Sequence, residues 1–258
     1  MRVLSFFSGA GGMDLGFELA GHKVVWANDF DENAIETYSK NIGKYSNSTI
    51  ILDDIKNLLN CSNLENSNLI PEAEILIGGF PCQGFSVANI KRSMEDERNY
   101  LYLELLKVIN LKSPKFILLE NVKGLENMEK GKVLEMILKD IEKSGEGYKV
   151  VYNVFNALNF GVPQNRERVI ILGVRKDILK SPHFRSLTST ETKVFLHLYG
   201  EYNGSNNGYL ALPYNKADEE LNISRQQLSR ALKGLEVKGW IEKSRQGGKG
   251  RLSYYAIT

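Results

Sequence analysis

Cys82 stands in Phe80-Pro81-Cys82-Gln83-Gly84-Phe85-Ser86, just past the apolar run Ile75–Gly79. Structural cysteines usually sit inside apolar runs; this one is displayed on a Pro/Gly loop, where a thiolate can act as a nucleophile. No histidine pairs with it by position, since His22 ends a helical stretch and His183 and His197 lie in another segment. That argues against a cysteine protease. Cys61 is the other cysteine, so no zinc cluster and no metal site are expected, and a hydrolytic deaminase is disfavoured. Glu120-Asn121-Val122 ends another apolar run and puts an acid beside the cysteine loop, where its pKa could be raised for general-acid work. Arg166 and Arg168, two apart in Gln164-Asn165-Arg166-Glu167-Arg168, share a face of an extended segment and suit a carbonyl or phosphate oxygen. For either arginine alone, a surface ion pair explains as much.

A second group of residues reads as a ligand pocket. Phe7-Ser8-Gly9-Ala10-Gly11-Gly12 follows the first apolar run and opens a helix. Glycines there let backbone approach a ligand, although a tight strand-to-helix turn would use them too. The loop lacks the Gly-Lys-Ser/Thr of a phosphate loop and the spacing of a dinucleotide fingerprint. Asp29, in Asn28-Asp29-Phe30, is placed to accept from ribose hydroxyls or else to cap the next helix, and Phe30 could lie against adenine. Asp53-Asp54-Ile55 offers an acceptor to an exocyclic amine and an apolar side to a ring. The set points to a nucleoside without a bound phosphate, and S-adenosylmethionine fits.

The elements that must position these residues alternate. Strands are expected over Val3–Phe7, Val24–Asn28, Thr49–Leu52, Glu74–Gly79, Phe116–Glu120, Val150–Phe155 and Val169–Val174. Helical spacing fills Asp31–Gly43, Asn99–Leu111 and Gly131–Lys143. Apolar strands separated by helices predict a parallel sheet covered on both faces. The last two strands, joined only by the loop 156–168, should pair antiparallel. Cys61–Ile70, rich in Asn and Ser, reads as a surface loop.

These blocks together resemble the DNA (cytosine-5)-methyltransferase family. The matching stretches are Phe7–Gly12, Asp29-Phe30, Asp54-Ile55, Gly79–Gln83, Arg98–Leu101, Glu120–Val122 and Gln164–Arg168, in order, over residues 2–175. The resemblance implies a doubly wound, Rossmann-like α/β sheet dependent on S-adenosylmethionine, in which the first and fourth strands meet at the topological switch point. It implies that Cys82 adds to C6 of a cytosine flipped out of duplex DNA, because unactivated C5 is a poor nucleophile. Glu120 would bond N3 and the amino group, Arg168 the carbonyl, and Arg166 would lie near a phosphate or the loop. Ser86 and its loop would close over the DNA. Phe7, Gly9, Gly11, Gly12, Asp29, Phe30, Asp54, Ile55, Gly79, Pro81 and Leu101 would line the cofactor pocket. A restriction-modification, phage or plasmid setting follows.

The chain of 258 residues divides in character near residue 180. Residues 1–180 hold 22 Lys+Arg against 24 Asp+Glu, whereas 181–258 hold 11 against 7, a basic balance that favours a polyanionic partner. Domains are expected at 1–178 and 186–258. Thr188 and Glu191 fit a capping box, Asn215–Asn222 a short helix, and Ser224 caps Arg225–Lys238, stopped by Gly239. Trp240–Arg245 and Arg251–Ile257 flank the Gly-rich Gln246–Gly250 as a hairpin. This order resembles a small winged helix-turn-helix domain. Arg225, Gln226, Ser229, Arg230 and Lys233 share a helix face that could enter a major groove, with Lys249 and Arg251 on phosphates. A solvated face of a protein-binding module would look similar.

Family members continue past the seventh strand with a target-recognition region and a closing segment that completes the cofactor pocket, and neither is seen here. The partners expected are therefore double-stranded DNA and a second polypeptide supplying those parts. The alternative is an incomplete enzyme acting mainly as a winged-helix DNA-binding regulator. An ordinary composition, two cysteines and no run of about 18 apolar residues lead us to expect a cytoplasmic protein without a membrane partner.

Overall fold

Val3, Leu4 and Phe6 are fully buried, because β1 (Arg2–Phe6) lies inside a sheet with covered faces. The computed structural model describes residues 1–43, 48–59, 69–81, 100–201, 206–248 and 252–258. Two compact units result: Met1–Glu18 with His22–Ile178, and Leu19–Gly21 with Leu179–Thr258.

The first unit is an α/β sheet of seven strands. After β1 come α1 (Gly12–Leu19), β2 (Lys23–Asp29), α2 (Glu32–Asn41), β3 (Thr49–Leu52), α3 (Ile55–Leu58) and β4 (Ile75–Gly78). α4 (Tyr100–Lys112), β5 (Phe116–Val122), α5 (Lys132–Lys143), β6 (Tyr148–Asn156) and β7 (Glu167–Arg175) follow. The strand order is β3-β2-β1-β4-β5-β7-β6, with β1 to β5 parallel. The short β6–β7 connection does produce antiparallel pairing, and β7 inserts between β5 and β6, antiparallel to both. Strand order reverses between β1 and β4, so the glycine loop after β1 and the loop after β4 leave the sheet side by side.

One face of the sheet packs Trp26, Leu76, Ile117 and Leu119 against Tyr102, Leu105 and Ile109 of α4 and Ile137 and Ile141 of α5. The α5 side chains recur at helical spacing, and each buried aliphatic contributes about 1.5–3 kcal/mol. On the opposite face Val3, Val24, Ala27, Ile75 and Ile77 pack with Tyr38 and Ile42. A 3-10 stretch, Lys123–Gly131, precedes α5; periodicity gave no sign of it, because Glu129 and Lys130 take left-handed φ values of 49° and 59°. The cap of α2 is Asp31, whose side chain accepts from Ala34 N–H at 2.9 Å, so Asp29 is free of that duty.

The second unit contains the end of α6 (Lys176–Lys180), then α7 (Pro182–Arg185), α8 (Ser189–Gly200), α9 (Tyr214–Leu221), α10 (Arg225–Val237) and the antiparallel strands β8 (Ile241–Arg245) and β9 (Tyr254–Ile257). α8 opens on the Thr188/Glu191 capping box, and α10 on a second one, Ser224 with Gln227. Leu210 adds a bridge to Tyr255, bonded in both directions at 3.2 and 2.8 Å. Val194, Leu198, Leu228, Ala231, Leu235 and Ile241 form a core of their own. No described helix is long and apolar enough to cross a membrane.

Gly234 lies inside α10, where Ala would ordinarily be about 1 kcal/mol better. Here an added Cβ would lie 2.0 Å from Oε1 of Glu191. That buried carboxylate accepts from Thr188 N–H and from Lys238 Nζ, both at 2.6 Å, and could swing aside only by losing them. Gly234→Ala should therefore destabilise this unit by about 1–3 kcal/mol, read by thermal unfolding. Burial alone would raise the Glu191 carboxyl, but the Lys238 and Thr188 hydrogen bonds hold it below the usual carboxylate range. Its stabilisation is thus present near neutrality and fades as pH falls through that lowered pKa.

Candidate active site

The glycine loop owes its shape to three left-handed residues in five: Phe7, Gly9 and Gly11, with φ of 54°, 53° and 87°. Gly9 N–H donates to Oδ2 of Asp29 at 2.7 Å, and Asp31 N–H donates to its Oδ1 at 3.0 Å. Asp29 is buried and ties the loop to the tip of β2. Each of its carboxylate oxygens thus accepts one backbone N–H, which leaves acceptor capacity on both. Gly11 turns inward: a Cβ there would lie 2.6 Å from Ile42 Cγ1 and 2.8 and 2.9 Å from the Tyr38 ring. Gly9 and Gly12 are the opposite case, for a Cβ on either would meet nothing within 4 Å among the described residues.

A buried group beneath the loop is not evident from the sequence alone. Asp14 accepts from Ser5 Oγ at 2.7 Å and from the Tyr38 hydroxyl at 2.8 Å. Burial pushes its carboxyl above the usual range, and the two hydrogen bonds pull the other way. An acid inside the apolar helical stretch Met13–Phe17 was the available signal.

Beside the loop a cleft of about 180 Å³ is lined by Phe7, Asn28, Phe30, Asp53, Asp54, Ile55, Lys56 and Leu101. Asn28 Nδ2 donates to the carbonyls of Asp53 at 2.8 Å and Ile51 at 3.2 Å, joining the tips of β2 and β3. Asp54 caps α3 through Lys56 N–H at 2.9 Å. Phe30 is 68% exposed and Ile55 is buried at the cleft floor. Ser8 Oγ is buried with no hydrogen-bond partner among the described residues. An aromatic face, two acids, open space at two glycines and an orphan hydroxyl fit S-adenosylmethionine in chemical type.

A second cleft, of about 400 Å³, is lined by Gly79, Phe80, Pro81, Glu120, Asn121, Val122, Met128, Arg166 and Arg168. Gly79 and Pro81, expected in the cofactor pocket, lie here. Register explains the central pair: Val122 is opposite Arg168 and Glu120 opposite Ile170, so Glu120 and Arg168 are diagonal neighbours on one face. Arg168 Nε lies 2.7 Å from Oε1 of Glu120, and Arg168 Nη1 donates to the Glu167 carbonyl at 2.8 Å. Glu120, the acid expected beside the cysteine loop, is therefore ion-paired with Arg168. Arg166 is set by the β6–β7 connection, where Asn156 Oδ1 accepts from its N–H at 3.3 Å.

Cys82, Ser86, Lys249 and Arg251 lie outside the described residues. Arg225, Gln226, Ser229, Arg230 and Lys233 are all exposed along α10.

A profile of the C-5 cytosine-specific DNA methylase family matches residues 1–252. The chain belongs to this family. Among curated relatives, the Type II methyltransferase M.NgoFVII of Neisseria gonorrhoeae is 46% identical over 176 residues, 68% of this chain and 44% of the relative. M.AquIA of Picosynechococcus is 42% identical over 67% of this chain and 72% of its own length. A solved DNA modification methyltransferase encoded within an E. coli prophage superimposes with a TM-score of 0.57 at 29% identity, over 69% of this chain and 47% of that one. The chain spans about half the length of M.NgoFVII and of two further Type II methyltransferases that it matches, and M.AquIA is about as long as the chain. The enzymes of the family take their methyl group from S-adenosylmethionine.

Proposed function

We propose that this chain methylates C5 of cytosine in duplex DNA, as in restriction-modification, with Cys82 as the covalent nucleophile. The observation that carries the reading is the Glu120–Arg168 pair at 2.7 Å, in a cleft whose wall includes Pro81, the residue before Cys82. S-adenosylmethionine supplies an electrophilic methyl when bound; Phe30, Asp54, Ile55 and Leu101 would hold its adenosine, and the open side of Gly9 and Gly12 its remainder. The Cys82 sulfur forms a bond to C6, which makes C5 nucleophilic. Glu120 bonds N3 and the amino group of the base, Arg168 its carbonyl, and Arg166 a neighbouring phosphate. After methyl transfer the C5 proton leaves to a base, water being one able to serve, and the Cys82–C6 bond breaks.

Two further parts belong to this proposal. The face of β5, β7 and β6 that carries the Glu120–Arg168 pair also carries Leu118, Leu172, Val151 and Phe155, and the last three are 42%, 55% and 38% exposed. Sheets of this class bury both faces, which supports a second polypeptide that covers this one and reads the target sequence. The exposed α10 face, with its three cations, supports DNA binding by the second unit. Arg230→Glu with Lys233→Glu in the full chain should weaken duplex binding. Its salt dependence should flatten by about 0.9 in log-log slope for each phosphate no longer neutralised. Unchanged gel shifts across a salt series would remove DNA binding from this face.

The reading is tested with labelled S-adenosylmethionine and mixed-sequence DNA, the chain being supplied alone and with the product of a neighbouring reading frame. Label should appear in 5-methylcytosine. Its absence in both arms would contradict the proposal.

A further inference from the structure

Asn121 is the middle residue of Glu120-Asn121-Val122, and the chemistry above gives it no task. It is 3% exposed and faces the opposite side of β5 from Glu120. Both ends of its side-chain amide are engaged. Oδ1 accepts from Val122 N–H at 2.8 Å, which fixes the amide orientation and leaves Nδ2 as the donor. Nδ2 donates at 3.0 Å to the backbone carbonyl of Phe80, a buried bond between residues 41 apart in sequence. Phe80 is itself anchored, 2% exposed, with its ring 5.5 Å from that of Tyr102. The chain therefore leaves β4 through a residue held at its ring by α4 and at its carbonyl by β5. Two residues later comes Cys82.

We propose that Asn121 is a positioning residue for the covalent step: it ties the start of the Cys82 loop to the strand that presents Glu120. The inference rests on the reading of Cys82 as nucleophile. The physical reason is that a nucleophile and the group that activates its target must be held in register, and a displacement of about 1 Å can cost about 100-fold in rate. Here the two come from different strand ends, β4 and β5. Sheet hydrogen bonds pair these strands only from Ile75–Phe116 to Gly78–Leu119. Beyond Gly78 the Asn121–Phe80 bond continues the tie by one side chain.

The test uses the full chain and DNA containing 5-fluorocytosine, on which the Cys82–C6 bond persists after methyl transfer. Asn121→Ala removes donor and acceptor. Asn121→Asp keeps an acceptor for Val122 N–H and replaces the donor to Phe80 with an oxygen. Both variants should lower the rate of adduct formation at saturating DNA by about 10- to 100-fold. Affinity for S-adenosylmethionine and the DNA concentration for half-maximal rate should stay unchanged, whereas general unfolding would move all three. Asn121→Ala also covers the case in which a buried carboxylate prevents folding. An unaltered rate in a folded variant overturns the positioning role alone. A chain with native Asn121 that forms no adduct overturns the Cys82 reading, and this inference with it.

Discussion

Glu120→Gln should leave the fold intact and lower methyl transfer by about 100- to 10,000-fold. The side chain lies at the tip of β5, one-quarter exposed, and Gln matches it in size. What changes is charge. The carboxylate faces Arg168 at 2.7 Å, so the cleft presents one acceptor group and one fixed cation next to each other. A cytosine attacked at C6 gains electron density that must be met at N3 and at the carbonyl. Gln can still donate to a ring nitrogen but can neither carry a proton to it nor balance the guanidinium. The loss should therefore fall on the rate at saturating substrate, with S-adenosylmethionine affinity untouched, because Glu120 lines the other cleft. Initial rates with labelled donor, beside calorimetric binding of S-adenosylmethionine, decide this. A loss confined to donor binding would contradict the role.

The second large effect separates two glycines that look equivalent in sequence. Gly11→Ala meets strain at φ +87° and a Cβ within 3 Å of Ile42 and of Tyr38, whose hydroxyl is pinned by Asp14. Left-handed backbone costs about 1–2 kcal/mol and overpacking about 1–3 kcal/mol, a large share of a total stability of about 5–15 kcal/mol. Gly11→Ala should show a clear drop in urea midpoint. Gly12→Ala has no described residue within 4 Å of its Cβ and no unusual φ, so it should fold normally and lose S-adenosylmethionine binding instead. If Gly12→Ala binds the donor with native affinity, the loop does not approach the ligand.

Periodicity made much of this architecture legible. The run-and-helix alternation predicted the seven strands, and the short loop after Asn156 predicted the antiparallel end of the sheet. The residues at strand tips were legible because their types are wrong for a core: Glu120 after Leu118-Leu119, Asp29 after Val24–Ala27. Partners were not legible. That Asp29 accepts from Gly9 N–H, and that Glu120 faces Arg168, depends on how neighbouring elements are brought together. Register is set by packing across the sheet and leaves no trace in local spacing. Asn121 and Asp14 were missed for the same reason, since both bond across elements far apart in sequence. The bridge at Leu210 was missed because a single paired residue has no period to detect.

The central claim is a covalent bond from Cys82 to C6 of cytosine. It is tested most directly by incubating the full chain, with and without the polypeptide from a neighbouring reading frame, with S-adenosylmethionine and duplex DNA containing 5-fluorocytosine. Fluorine at C5 cannot leave as the proton does, so the adduct persists through denaturing electrophoresis and can be mapped by peptide mass. The account predicts a trapped complex whose DNA is attached at Cys82 and which Cys82→Ser abolishes. A trapped complex at Cys61, or none in either arm, would contradict it.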